Sequence, residues 1–184
     1  LFEDVTERRS LSREVQSAKK FLETVVDNIP VSVVVKRLSD GQYVLANRGA
    51  AATLNRSRED LIGRTIEDIY SPTDAVFIRK RDDDAVRKQG IVTEEHPIQT
   101  ENGLRLFLIR RVTVLDDEGK PQYLIKTNED ITDRRETESR MAHMAYHDTL
   151  TELPNRAAFL QALEQMIDAC ESTDEEFAVL SLDL

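Results

Sequence analysis

Apolar residues first fall into a regular pattern at Leu11, Val15, Ala18, Leu22 and Val25, stepping alternately by four and three residues. Arg13, Glu14, Gln16, Lys19, Lys20 and Glu23 lie between them. Such spacing holds one narrow apolar stripe on one side of a helix, the rhythm of a coiled coil, and predicts pairing with a second copy. Packing of an amphipathic helix on its own domain is the alternative. Asn28-Ile29-Pro30 ends the helix. The pattern then changes period. Val31–Arg37 is β-branched and strand-like, Ser39-Asp40-Gly41 has turn chemistry, and Gln42–Ala46 closes a hairpin. Short helical pieces are expected at Asn47–Leu54, Arg58–Leu61 and Thr65–Ile69, with Gly63 as a breaker. A longer helix is expected with Ser71 as cap and Pro72 at its first position, ending at Gly90. Ile91–Thr100, Leu104–Leu115 and Gln122–Ile131 read as three long strands separated by the turns Glu101-Asn102-Gly103 and Asp116–Pro121. The sum is an α+β domain, one five-stranded antiparallel sheet with short helices on one face.

From Asp133 a second helix runs through a polar stretch and turns apolar at Met141, Met144 and Ala145. Pro154, which lacks an amide hydrogen, suits the first turn of a third helix. That helix carries Phe159, Leu163, Met166 and Cys170 on one side. Glu171–Glu176 reads as a polar loop, and the apolar Phe177–Leu184 as a strand buried on both faces. An internal echo places the boundaries. Glu3-Asp4-Val5-Thr6-Glu7-Arg8-Arg9 returns about one domain length later as Glu129-Asp130-Ile131-Thr132-Asp133-Arg134-Arg135. Each copy has the chemistry of a helix start, with Thr6 and Thr132 as expected N-caps. Leu1 in place of Met, and Leu184 inside an apolar run, read as cuts through a longer protein.

Composition narrows the partners. A net charge of −10 sets the chain against nucleic acid and anionic membrane surfaces. No apolar run reaches the length of a membrane span, and the lone Cys170 excludes an internal disulfide, so a cytoplasmic location is expected. Three histidines and one cysteine leave little stock for a zinc site.

The middle of the chain resembles a PAS sensory domain. Phe21-Leu22-Glu23-Thr24-Val25-Val26-Asp27-Asn28-Ile29-Pro30 looks like its entry helix. Leu45-Ala46-Asn47-Arg48-Gly49-Ala50-Ala51 and Ser57–Arg64 resemble its middle segment, and Gly119–Tyr123 with Glu129-Asp130-Ile131-Thr132 its last strand and exit. The resemblance implies a sensor whose ligand is a small molecule, a haem, a flavin or none. A photoactive flavin needs a cysteine inside the domain, and Cys170 lies outside it. A haem ligand is usually a His on the long helix, and Ser71–Gly90 has none. His96 is expected to be a solvated or hydrogen-bonded strand histidine. Arg105, Arg110 and Arg111 are expected on the solvated face beside Glu94, Glu95 and Asp116; one pointing inward would suit a carboxylate ligand. The PAS ligand stays unknown at this point.

His147-Asp148-Thr149-Leu150-Thr151-Glu152-Leu153-Pro154-Asn155-Arg156 is similar to the start of the GGDEF domain of diguanylate cyclases. It departs at Glu152, where Gly is commoner, a change expected to alter the turn. Asp183 at the end of an apolar strand is a plausible Mg²⁺ ligand on chemical grounds, since Mg²⁺ takes one or two carboxylates plus phosphate and water. The resemblance implies the same role, with the Leu184 backbone carbonyl as a second ligand and Leu150 lining the base pocket. It further implies two GTP-loaded domains meeting as a homodimer to form cyclic di-GMP, with no catalytic residue in this fragment and no activity from it alone. The expected layout is residues 1–20 as the end of an upstream PAS domain and connecting helix, and 21–131 as a PAS domain. A signalling helix at 132–146 then leads into a truncated α/β GGDEF domain at 147–184. Asp130, Ile131 and Thr132 are the expected transmission point. A degenerate GGDEF domain ahead of a cyclic di-GMP phosphodiesterase is the alternative setting.

Overall fold

The computed structural model describes residues 2–100, 103–173 and 177–180. The chain divides into two compact units, 1–131 and 132–184.

The first unit opens with helix α1 (Phe2–Asp27), closed by amide bonds from Asn28 and Ile29 back into its last turn. Thr6 lies inside this helix, so the first copy of the repeat is not a helix start; nothing breaks helical geometry before it, and the second copy alone marks a junction. Strands β1 (Ser32–Arg37) and β2 (Tyr43–Ala46) form the expected hairpin. Three short helices follow, α2 (Arg48–Thr53), α3 (Arg58–Leu61) and α4 (Ile66–Ile69), each preceded by a polar cap residue. Asn47 and Ser57 accept side-chain bonds, and Thr65 forms a capping box with Asp68. Helix α5 (Pro72–Lys88) starts on Ser71 with Pro72 at its first position. It stops short of Gly90 because Gln89 already leaves helical geometry with a φ of 54°. Strands β3 (Ile91–Thr100), β4 (Gly103–Leu115) and β5 (Pro121–Asp130) complete one antiparallel sheet in the order β2-β1-β5-β4-β3.

The core lies between this sheet and the helices: Val34, Tyr43, Ala46, Ala50, Leu61, Ile66 and Ala75 are all buried, with Leu54, Ile69, Tyr70 and Ile78 packed against them. Asn47 ties the core together. Its carboxamide oxygen accepts from the amides of Val33 and Ala50, while its Nδ2 donates to the carbonyls of Val26 and Val31. All four bonding positions of the side chain are filled, which is why an Asn can sit wholly buried here. The last turn of α1 is therefore fastened to β1 and α2. Gly49 permits the close packing of α2 on β1, since a Cβ there would come within 2.7 Å of the Val31 carbonyl oxygen.

The second unit holds α6 (Thr132–Tyr146) and α7 (Arg156–Thr173). Thr132 is the first residue of α6. α7 begins two residues later than Pro154 suggested, because Asn155 is the better cap: its Oδ1 accepts from the amides of Ala157 and Ala158. α7 also runs on through Thr173, three residues into the expected polar loop. Of the expected strand Phe177–Leu184, residues 177–180 are not a strand, Leu180 stands in solvent, and residues 181–184 lie outside the described residues. The described helices include none long and apolar enough to cross a membrane.

Candidate functional site

Most core-facing positions of the sheet are apolar, but one cluster is charged. Cross-strand partners share a face, so the register Val34–Lys126–Arg111 puts Lys126 and Arg111 on the helix-facing side, with Lys36 two residues beyond Val34. α5 turns a stripe of Ala75, Ile78, Asp82 and Ala85 towards the core, and Asp82 occupies a position where helix periodicity calls for an apolar residue. All four charged groups are buried. Asp82 is shared. Its Oδ2 accepts from Lys36 Nζ at 2.6 Å and its Oδ1 from Arg111 Nε at 2.8 Å. Arg111 Nη1 donates to Glu94 of β3 at 2.5 Å, and Glu94 is also paired with Arg81 of α5.

Arg111 is thus corrected from the solvated face to the core, 2 % exposed. The sequence pattern misled because Arg110, next to it, lies on the opposite face and is exposed, while Arg105, on the same face as Arg111, stands half-buried near the start of β4. Arg110 pairs with Glu129 and Arg105 with Asp130. His96 lies on β3 as expected. It is half-buried against Phe77, ring centroids 5.2 Å apart, with Arg81 4.7 Å above the same phenyl ring.

Burial sets the electrostatics of this layer. Desolvation pulls the Lys126 ammonium down to about 8, opposed by Asp82 and reinforced by the nearby charges of Arg111 and Lys36. Burial also pushes the Tyr70 phenol up to about 12 and Tyr43 further in the same direction.

The exit from the sheet is held as firmly. The Ile131 amide donates to the Leu106 carbonyl at 2.9 Å, and the Ile131 side chain is fully buried. The Arg105–Asp130 pair spans 2.9 Å and Arg110–Glu129 3.3 Å, so the end of β5 is clamped to β4 on both sides of the strand. The chain passes from Asp130 through Ile131 into α6 with no intervening loop.

The seam positions Leu11, Val15, Ala18, Leu22 and Val25 are all exposed along α1. In the second unit, Asp148 organises the turn between α6 and α7. Its Oδ1 accepts from the amides of Leu150 and Thr151 and from the Thr151 hydroxyl, contacts that hold its carboxyl below the usual range. Asn155 Nδ2 donates to the Ala145 carbonyl, tying the start of α7 to the end of α6. Glu152 has a φ of 59°, in the left-handed region that Gly favours. Leu150 is 90 % exposed at the tip of this turn. The expected Mg²⁺ ligands Asp183 and Leu184 lie outside the described residues.

Comparison with known proteins agrees with this architecture. The family model described as PAS fold matches residues 26–136, more than half of the chain, and the chain belongs to that family. A second model, that of the diguanylate cyclase GGDEF domain, matches residues 145–184 directly after it. The chain is 27 % identical over 176 residues to the cyclic di-GMP phosphodiesterase PdeR of Escherichia coli, covering 95 % of this chain and 26 % of that protein. It is 26 % identical over 170 residues to a diguanylate cyclase of Vibrio cholerae, covering 88 % of this chain and 51 % of that protein. It therefore spans about a quarter and about half the length of these relatives. Among solved structures, the PAS domain of Bordetella pertussis BvgS superimposes with a TM-score of 0.55 at 18 % identity, covering 71 % of this chain and 98 % of that one.

Proposed function

We propose that this chain is the sensory and coupling segment of a protein that controls cyclic di-GMP levels. In this reading the PAS unit regulates a GGDEF domain that joins two GTP into cyclic di-GMP. The observation that carries it is the unbroken passage from the clamped end of β5 into α6, and from α6 into the turn that the GGDEF family model matches. A change in the sheet at β4 or β5 acts on the first turn of α6 with no flexible linker to absorb it. Asp130, Ile131 and Thr132 are the transmission residues.

The exposed apolar face of α1 supports the same reading. The exposed stripe Leu11, Val15, Ala18, Leu22 and Val25 offers two heptads of coiled-coil seam, and a homodimer is what a two-substrate GGDEF reaction requires. Asp183 and the Leu184 carbonyl would contribute to Mg²⁺ binding in the complete domain, where the metal neutralises phosphate charge. A second reading is favoured by the relative named as a phosphodiesterase, which matches nearly the whole chain. There the GGDEF domain is degenerate and the PAS unit regulates a hydrolase further along.

The test uses the full-length protein. Cyclic di-GMP formed from GTP and linear dinucleotide released from cyclic di-GMP are both measured for wild type, Asp130→Ala and Thr132→Ala. Synthesis that loses its regulation in the variants supports the first reading, and hydrolysis without synthesis supports the second. Regulation unchanged in both variants defeats the coupling proposal. The 184-residue chain alone is expected to form no cyclic di-GMP. In sedimentation velocity it should run as a dimer that Leu22→Asp converts to monomer.

A further inference from the structure

Two histidines of the second unit stand one helical turn apart. His143 lies in the last turn of α6 and His147 is the first residue beyond it, the i, i+4 spacing that stacks side chains on one helix face. Their imidazole rings lie almost parallel, with an interplanar angle of 6° and centroids 4.0 Å apart. His143 is exposed and His147 partly so, and solvent reaches both rings.

The backbone fixes which nitrogen of His147 is free. Its Nδ1 lies 3.1 Å from the His143 carbonyl oxygen, which also accepts from the His147 amide at 2.8 Å. A carbonyl oxygen only accepts, so Nδ1 carries the proton and the neutral ring keeps its lone pair on Nε2. A ring N–H tied to a backbone carbonyl, with the other nitrogen outward, is the usual state of a metal-ligating histidine. His143 presents its ring alongside. Metal–nitrogen bonds of about 2.0–2.1 Å hold two nitrogens on one ion roughly 3 Å apart. That is near the present ring separation, and the Cβ–Cγ torsions that would converge the rings are soft. The pair also sits at the C-terminal end of α6, where the helix dipole favours a cation. Among the described residues no third His, Cys, Asp or Glu joins it, so water completes the coordination shell.

We propose that His143 and His147 form a two-imidazole site for a late first-row divalent cation such as zinc, nickel or copper, the ions that imidazole ligands suit. Mg²⁺, which takes oxygen ligands, does not fit it. The spacing is that of the two zinc-binding histidines of an H-E-x-x-H helix, but Met144 stands where the general-base Glu would be, so the site binds an ion without hydrolytic chemistry. Its place gives it a consequence. The ion would join the last turn of α6 to a residue that pairs with Pro154. Beside it, Asn155 already bonds to the Tyr146 carbonyl through its amide, at 2.8 Å, and to the Ala145 carbonyl through its side chain. An occupied site therefore locks the junction of α6 and α7, a metal-sensitive point on the path out of the sheet. It goes beyond the coupling reading and does not depend on it. The ion is read by binding and not by cyclic di-GMP formation, so either can fail without the other.

The experiment titrates the untagged 184-residue chain with zinc chloride by calorimetry, in the presence and absence of a large excess of magnesium chloride. Zinc should saturate at one ion per chain, and magnesium should not compete. His143→Gln and His147→Gln should each weaken binding about ten-fold or more, since even an outer-shell partner of a metal ligand is worth that much. No binding overturns the proposal, and so does a single variant that keeps wild-type affinity, because the rings would then act independently. Cys170→Ser should bind as the wild type does; a loss there would put the ion on the half-exposed thiol and overturn it too. Measurements on unmodified protein guard against a variant that does not fold. Substoichiometric nickel should broaden the ring proton signals of His143 and His147 together, and before those of His96 on β3. Equal broadening of all three overturns the pairing. With zinc at about ten times its Kd, hydrogen exchange at the His147 and Asn155 amides should slow about ten-fold. Unchanged exchange would overturn the locking of the junction.

Discussion

The two units of this chain solve opposite problems. Every buried residue belongs to the first, up to Ile131; from Thr132 onward none of the described residues is buried. The first unit has enough sheet and helix to enclose a core, and it encloses charge along with the apolar residues. The second has an apolar stripe on α7, including Phe159, Met166 and Ile167, that stands substantially in solvent, held to α6 chiefly through backbone and turn bonds. The contrast teaches where sequence change should matter. In the first unit the decisive interactions are ionic and buried, where loss of one partner is severe. In the second they are local, where effects are a fraction of that.

The largest expected effect is therefore at Asp82. Asp82→Asn keeps the shape but leaves Lys36 and Arg111 facing a neutral amide in the core. A loss of about 3–5 kcal/mol is expected in urea unfolding of the first unit. A loss below about 1 kcal/mol would mean that the cluster is hydrated and not buried, and the contrast between the units would weaken.

Lys126 should behave in the reverse sense. Its folded-state pKa, about 8, lies below the ordinary lysine value of about 10.4 that holds in the unfolded chain. Below pH 8 both states are protonated, so the cost of burying the charge is fully present. Between about 8 and 10 the folded state releases its proton first while the unfolded chain retains it, and stability rises with pH. The gap corresponds to about 3 kcal/mol. Lys126→Met should thus stabilise the protein by up to about 3 kcal/mol at pH 7, and this gain should vanish above pH 10. Urea midpoints at pH 7, 8.5 and 10 for both proteins check it. A wild-type midpoint that falls steadily over that range would contradict the assignment.

Much of the fold was legible because its signals are local. Ser71-Pro72 began α5, and the three short helices formed within the expected ranges 47–54, 58–61 and 65–69. The charged core was not legible from strand alternation alone. Arg110 and Arg111 are adjacent, so one of them must face inward, but nothing in the strand says which. The signal that settles it lies on another element: Asp82 interrupts the apolar stripe Ala75-Ile78-Ala85 and needs cations opposite. Thr6 misled for a related reason. A cap residue acts only where the helix actually begins, and the same motif stands at a junction at Thr132 but within the early turns of α1 at Thr6. Over residues 177–180 the expected Phe177–Leu184 strand does not form, since a strand needs a partner to pair against.

The smallest expected effect belongs to the second unit and tests its local character directly. Glu152 holds a left-handed φ in a turn closed by its own amide bond to the Asp148 carbonyl. A side chain in that conformation costs about 1–2 kcal/mol, and Gly would remove the cost. Gly also gives the open chain more freedom, which returns about 0.5–1 kcal/mol of the gain. Glu152→Gly should therefore close the turn more tightly by about 0.5 kcal/mol, slowing hydrogen exchange at the Thr151 and Glu152 amides about two-fold. The first unit's unfolding midpoint should not move, because no element of its core depends on this turn. Exchange that is unchanged would show that the turn is held by the Asp148 bonds alone. A midpoint shift in the first unit would show that the two units unfold together, and the division drawn between them would have to go.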